Sequence, residues 1–245
     1  MSTLLLRLAG PMQSWGVQSR FVIRDTGLEP SKSGVVGLLC AALGRPRDAA
    51  MDDLAALRMG VRVDCEGVMQ TDYHTAGGAH RRDEAGYGVA QFGTDPPRPV
   101  QSWRRYLADA SFLVGLEANS DTQEALLRHL DAALAHPVWP LYLGRRAFVP
   151  SYPVRLPDTP PWGPGLRPQG LEEALTEYPW PSSGRGTSLP SPEVLRLVLD
   201  DSTGDQTRVD VPVSFSPLSR RYLPRYVMTK HIRRPAASVP SMEGE

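Results

Sequence analysis

Leu4-Leu5-Leu6-Arg7-Leu8-Ala9-Gly10-Pro11 and, after a polar loop, Ser31-Lys32-Ser33-Gly34-Val35-Val36-Gly37-Leu38-Leu39-Cys40-Ala41-Ala42-Leu43-Gly44 open the chain as a strand leading into a helix. In the first block Leu4, Leu6 and Leu8 face one way, while Leu5, Arg7 and Ala9 face the other. Gly10-Pro11 ends the strand. In the second block a Ser-rich start, an all-round apolar run and a Gly stop read as a helix. Such a helix should be buried under a sheet.

The elements that follow fit the same layering. A short helix is expected over Asp52 to Arg58, then strands near Gly60–Asp64 and Val68–Tyr73. Residues 75–99 hold five Gly and three Pro with little periodicity. A stretch of that length is usually functional or disordered, and its flanks, Thr71–Thr75 and Val100–Trp103, can pair as the base of a long hairpin. Ala110–Leu116 is a further strand. Asp121–Ala135 is the clearest amphipathic helix, with Leu126, Leu127, Leu130 and Leu134 as its stripe and Asp121-x-x-Glu124 resembling a capping box. Residues 137–192 carry 13 Pro and read as irregular, extended chain. Val194–Leu199 and Gln206–Val211 read as a hairpin, and Tyr222–Lys230 as a strand broken by Pro224. The order points to an α+β, ferredoxin-like or RRM-like fold followed by an all-β segment.

The chain has 245 residues, 27 Lys+Arg against 27 Asp+Glu and no net charge. That excludes a uniformly basic nucleic-acid coat and a wholly acidic solvating chain. With 41% hydrophobic residues it can bury a core. Of the bases, 25 are Arg; only Lys32 and Lys230 are Lys. GC-rich codon usage accounts for such a bias, although the Arg fork also suits phosphates and stacks on bases. The distribution says more than the total. Residues 1–24, 132–157 and 211–242 contain no acid and together hold 12 bases, so the remainder sums to −12. The basic stretches fit one groove for a polyanion or three separate solvated faces.

Several chemistries have no support. The five His are scattered and neither Cys has a nearby partner, so no zinc site or other cofactor is expected. Cys40 and Cys65 read as packed thiols. With no signal peptide and no membrane-length apolar run, a cytoplasmic protein is expected. Gly27-x-x-x-Ser31-Lys32-Ser33 is a damaged Walker loop, one residue short and with Ser for the second Gly, so NTP hydrolysis is rejected. Lys32 and Ser33 still suit an anion site at a helix N-terminus; a plain Ser cap needs no ligand. In Asp72-Tyr73-His74-Thr75, His74 beside Tyr73 is the best general acid/base candidate, or a structural His at a strand end. Trp103-Arg104-Arg105-Tyr106 and Tyr142-Leu143-Gly144-Arg145-Arg146 mix stacking faces with phosphate forks. Gly144 lets the backbone approach another chain closely. Trp15 is a further stacking candidate, or a buried Trp.

Taken in order, Leu6 to Gly16, Ser31 to Leu39, Asp72 to Thr75, Trp103 to Phe112 and Tyr142 to Arg146 resemble the CasD subunits of type I-E CRISPR Cascade, in the fifth core Cas family. The resemblance covers roughly residues 4–148. It implies an RRM-like palm over 1–148 with a β-hairpin thumb inserted at about 73–103, then a Pro-rich irregular segment at 149–192 and a C-terminal β segment with a basic tail at 193–245. It also implies binding of the CRISPR RNA 5′ handle at the end of a filament of CasC-type backbone subunits. A CasA-type large subunit that recognises the PAM would be a further partner, with target DNA met only through the assembled complex and no membrane. RNA binding is then expected of Lys32, Ser33, Arg104, Arg105, Tyr142, Gly144, Arg145 and Arg146, with Trp15, Tyr73 and His74 as lesser candidates. In type I-E systems a separate CasE subunit cuts the precursor. Type I-C relatives cut with Tyr, Lys and His; here neither Lys matches that catalytic position, which favours binding over metal-independent endoribonuclease activity.

Overall fold

The computed structural model describes residues 1–16, 22–77, 89–91, 94–180 and 192–236, with the backbone alone at 89–91 and 94–98. The chain begins with β1 (Ser2–Ala9), β2 (Met12–Gln13) and β3 (Ile23–Arg24), then α1 (Lys32–Leu43) and α2 (Asp52–Ala55). Next come β4 (Arg58–Cys65), β5 (Val68–Ala76), β6 (Val89–Gln91), β7 (Thr94–Arg98), β8 (Val100–Ala108) and β9 (Ser111–Ala118). The last part holds α3 (Asp121–Ala135), β10 (Leu166–Arg167), α4 (Leu171–Glu177), β11 (Val194–Asp200), β12 (Gln206–Ser214) and β13 (Arg221–Arg233). The fold is mixed α+β with antiparallel sheets.

The main sheet has seven strands in the order β10-β1-β9-β4-β11-β13-β12, every neighbour antiparallel. Its centre is buried on both faces, which explains why β1 and β9 are apolar at successive positions rather than alternating. One face, through Leu4, Leu6, Leu8, Phe112, Val114 and Leu116, packs under α1 and α3. The other, through Leu5, Leu113, Leu197 and Leu199, packs under α4 and Leu156. α1 is apolar all round, as its placement requires: Val35, Val36, Leu38, Leu39, Cys40 and Ala42 are all buried. Gly44 ends it in the left-handed region at φ 69°, with its N–H on the Ala41 carbonyl.

Four expectations change. Val194–Leu199 and Gln206–Val211 do not pair as a hairpin, because the longer β13 inserts between β11 and β12 and pairs with both. The Pro-rich stretch is not irregular throughout, because it supplies β10 and α4, whose Leu171, Ala174 and Leu175 close the second core. Pro224 does not break β13; it stands opposite Val209, where the register shifts by a bulge that tolerates the missing donor. The cap of α3 is one residue earlier than expected. Ser120 Oγ accepts from Gln123 N, and Gln123 Oε1 accepts from Asn119 N.

A second sheet stands off the first. β5 and β8 pair along their whole lengths, from Val68↔Ala108 to Ala76↔Val100, further than the four or so pairs expected. β2 and β3 both add to the other side of β8, the first antiparallel and the second parallel. β6 and β7 pair with each other beyond this hairpin. Positions 78–88 and 92–93, where the tip of the expected thumb falls, lie outside the described residues.

A candidate nucleic-acid interface

The N-terminus of α1 is where an anion was expected, and an anion is there, but it comes from the same chain. Asp210 of β12 accepts from Lys32 N at 2.7 Å and from Arg225 Nε and Nη2 at 2.7 and 2.9 Å. Lys32 Nζ donates to Asp200 at 2.9 Å, and Arg225 Nη1 bonds the same carboxylate. Lys32 is buried. Burial alone would lower the Arg225 guanidinium; the bonds and charges of Asp210 and Asp200 outweigh it and raise it. Lys32 is therefore corrected from an RNA contact to a structural ion pair: the helix dipole and two cations attract a carboxylate as well as a phosphate. Ser33 stays half-buried on the open side of the helix.

That open side is the floor of a groove of roughly 1110 Å³. Among the described residues seven Arg line it, Arg24, Arg45, Arg47, Arg104, Arg145, Arg146 and Arg220, and one acid, Asp25. Arg45 is held by Asp53 in a bidentate pair at 2.7 and 2.6 Å. Among the described residues none of the other six forms an ion pair. Arg145 Nη2 donates to the carbonyls of Arg105 at 2.8 Å and Arg24 at 3.4 Å, and its guanidinium lies 5.4 Å from the Phe148 ring centre. Burial, then the charges of Arg104 and Arg24, hold it below the usual arginine range. It is a pinned, crowded cation for which an added anion would relieve repulsion.

The loop that presents Arg145 and Arg146 is rigid. Leu143 is fully buried, Leu143 N donates to the Phe148 carbonyl at 2.8 Å, and Phe148 N donates to the Arg145 carbonyl at 2.9 Å. Gly144 has φ +94°, and a Cβ there would stand 1.9 Å from Ser14 O. The close approach found at this glycine is to the chain's own Ser14.

The other candidates divide. Arg104 and Tyr142 line the groove with Ser33, Gly144, Arg145 and Arg146. Trp15 lies at the floor but is only 1% exposed, with its ring against Gly34 and Nε1 donating to Gln13 Oε1, so it packs rather than stacks on a ligand. Arg105 alternates to the opposite face of β8 from Arg104 and lies 3.5 Å from Asp25. Tyr73 and His74 sit on β5, outside the groove lining. The Tyr73 ring packs on Trp103 with centroids 5.5 Å apart, and His74 Nδ1 is 3.8 Å from Asp72 Oδ2. Cys40 lines the floor, and burial pushes its thiol up, which makes it unreactive. No group of three or more metal-ligating side chains occurs among the described residues, and no helix there is long and apolar enough to cross a membrane.

Arg24, Arg45, Arg47, Trp139, Phe215, Arg220 and Tyr222 line the groove without having been singled out. A signal existed for most of them. Arg24 lies in the first acid-free stretch, Trp139 with Arg145 and Arg146 in the second, and Phe215, Arg220 and Tyr222 in the third. The three stretches meet on one groove.

A groove with half-exposed aromatics and seven Arg, six of them in no ion pair among the described residues, on an antiparallel α+β scaffold has a make-up that suits single-stranded nucleic acid. The chain belongs to the CRISPR-associated protein family (Cas_Cas5), whose model matches residues 3–228. It is 37% identical over 167 residues to the CRISPR system Cascade subunit CasD of Escherichia coli (strain K12), a match that covers 63% of this chain and 70% of that one. Among solved structures it resembles a Cas protein crystal structure (41% identity, 97% of this chain and 100% of that one, TM-score 0.71). It also resembles a chain of a CRISPR RNA-guided surveillance complex (34% identity, 98% and 95%, TM-score 0.74).

Proposed function

We propose that this chain is a non-catalytic subunit of a Cascade-type surveillance complex and holds the 5′ handle of CRISPR RNA in the arginine groove. The observation that carries this is the convergence of three acid-free stretches on one channel in which six of seven Arg form no ion pair among the described residues. A single strand needs a basic track for its phosphates and aromatic faces for its bases, and the groove has both. The strand order β1-β9-β4 around α1 and α3 supports a ferredoxin-like palm over the expected residues 1–148, with β10 from the Pro-rich segment added at its edge. An RRM commonly presents an open sheet face, but here α4 covers it. RNA would therefore run beside α1 rather than across the main sheet. The β5–β8 hairpin would serve as the thumb against a CasC-type backbone subunit, and the CasA-type large subunit would dock on surfaces outside the groove.

Arg145→Ala with Arg146→Ala tests the RNA assignment. Handle binding should weaken, and the log–log salt slope should fall by about 1.4, at ~0.7 per phosphate contact on a single strand. An unchanged slope and affinity would remove these residues from the interface. The rival reading, a metal-independent endoribonuclease, rests on His74 beside Tyr73 with Asp72 at 3.8 Å. Both Lys side chains are engaged elsewhere, Lys32 on Asp200 and Lys230 on Glu172. Metal-free incubation with repeat RNA decides between the readings, because specific cleavage lost in His74→Ala would establish the nuclease.

A further inference from the structure

The five Trp side chains differ in one respect. Trp15 packs on Gly34 and donates to Gln13; Trp103 packs on Tyr73; Trp162 lies 6.1 Å from the Tyr178 ring; Trp180 receives the Arg234 guanidinium at 4.8 Å. Trp139 is 44% exposed, lines the groove, and has no ring, guanidinium or side-chain hydrogen-bond partner among the described residues. Leaving half an indole in water forgoes a large burial gain, and Trp N–H groups normally find an acceptor.

Its backbone, by contrast, is tightly held. Val138 N and Trp139 N donate to the Ala42 and Ala41 carbonyls at 3.0 and 3.1 Å, capping the C-terminal end of α1. Val138 sits against Gly44, where a Cβ would approach its Cγ1 to 2.8 Å. Pro137 and Pro140 restrict the chain on either side. A rigid backbone carrying an unpartnered ring in an arginine groove is pre-organised, so little ordering cost falls on binding.

We infer that Trp139 is a stacking platform for one unpaired base of the RNA strand, a subsite at the α1 C-terminal end of the groove. The inference rests on the reading of the groove as an RNA channel. The occupant is a nucleobase because the ring offers a π-face without a fixed acceptor, while the groove's six Arg outside ion pairs among the described residues serve the phosphates. Stacking releases no counterions, so its loss should leave the salt dependence alone.

The test uses the full chain with two labelled probes: a short single-stranded oligoadenylate and its abasic ribose-phosphate counterpart. Wild type should prefer the base-bearing strand. Trp139→Ala should weaken oligoadenylate binding about 5- to 140-fold, the equivalent of roughly 1–3 kcal/mol per stacked base. It should leave abasic binding and both salt slopes unchanged, and Trp139→Phe should restore much of the loss. An equal loss on both probes, or no loss on either, overturns the subsite. The parent reading fails differently: Arg145→Ala with Arg146→Ala would then change neither affinity nor slope. A Trp139→Ala protein with an altered melting temperature is replaced by Trp139→Phe and Trp139→Leu, which keep apolar bulk and differ in the π-face. Equal affinity of those two for oligoadenylate also overturns it.

Discussion

Asp210→Ala removes the carboxylate that fastens the C-terminal hairpin to the start of α1. Asp210 is 2% exposed and accepts three bonds, from Lys32 N and from two nitrogens of Arg225. Truncation leaves an Arg225 side chain that is 10% exposed facing one carboxylate instead of two, and it orphans a helix N–H. Breaking a buried pair from one side costs about 3–5 kcal/mol. For a chain of this size that corresponds to a melting-temperature drop of about 6–20 °C, at roughly 2–4 °C per kcal/mol. The assay is urea unfolding with a parallel thermal scan; the urea midpoint should fall with an unchanged m-value. Asp210→Asn keeps one acceptor for Lys32 N and should fall between. The Asp210→Ala, Arg225→Met pair should be less destabilised than the sum of its singles, because one change relieves the charge the other strands. Phe215, Arg220 and Tyr222 form a groove wall on the same hairpin, so RNA affinity should decline with stability. A loss under about 1 kcal/mol with additive singles would refute the anchor.

Gly144→Ala places a methyl 1.9 Å from Ser14 O at φ +94°, so it should cost about 1–3 kcal/mol. It should displace the Arg145–Arg146 loop and lower RNA affinity more than any exposed Gly substitution; an unaltered Kd would show that the loop is not held this way. Arg62 is fully buried and bonds Asp64 at 2.7 Å and the Leu175 and Tyr178 carbonyls at 2.7 and 2.5 Å. Arg62→Met should therefore lose about 3–5 kcal/mol in chemical denaturation at neutral pH. Burial already pushes the Asp64 carboxyl up against the pull of Arg62. A carboxyl raised in the folded state holds its proton more tightly when folded, so its contribution falls as pH rises past its unfolded value of about 3.9. Arg62→Met should steepen that fall, with the variant nearest to wild type in acid; a deficit independent of pH would contradict this.

The first strand and the buried helix were legible as apolar runs with clear stops at Gly10-Pro11 and Gly44, and α3 was legible from its amphipathic period. Val194–Leu199 and Gln206–Val211 were also legible as two strands, but their pairing was not: they form no hairpin with each other, because β13 lies between β11 and β12. Nothing local in Val194–Asp200 says that it joins β4 and extends the main sheet, because pairing across such separations is decided by packing. Lys32 was misread for a related reason. A helix start with a cation looks the same whether its anion is a phosphate or Asp210, which lies 178 residues away. Arg145, Arg146 and Tyr142 were legible as a local cluster of forks and rings. Trp139 was not, because between two Pro in an irregular-looking stretch its period carries no sign of which side is open.

Charge segregation along the chain is not enough by itself to locate the channel: Arg45, Arg47 and Arg104 line it from outside the acid-free stretches. Arg155 lies in an acid-free stretch yet bonds Asp131 and Asp158, and Arg225 and Lys230 lie in another yet pair with Asp210 and Glu172. The acids they meet come from the acidic remainder, brought in by the fold. What distinguishes Arg24, Arg145, Arg146 and Arg220 is that folding brings their stretches to one another instead of to the compensating acids. Like charges do not assemble in this way for stability, since each such approach is repulsive and burial adds to the cost at Arg145. The main sheet supports the arrangement through neutral contacts: Leu143 and Phe148 in the core, Gly144 against Ser14, and the 138–139 backbone on the end of α1. A net charge of zero is thus compatible with a polyanion channel, provided the scaffold holding the cations together is apolar and the balancing acids are used elsewhere.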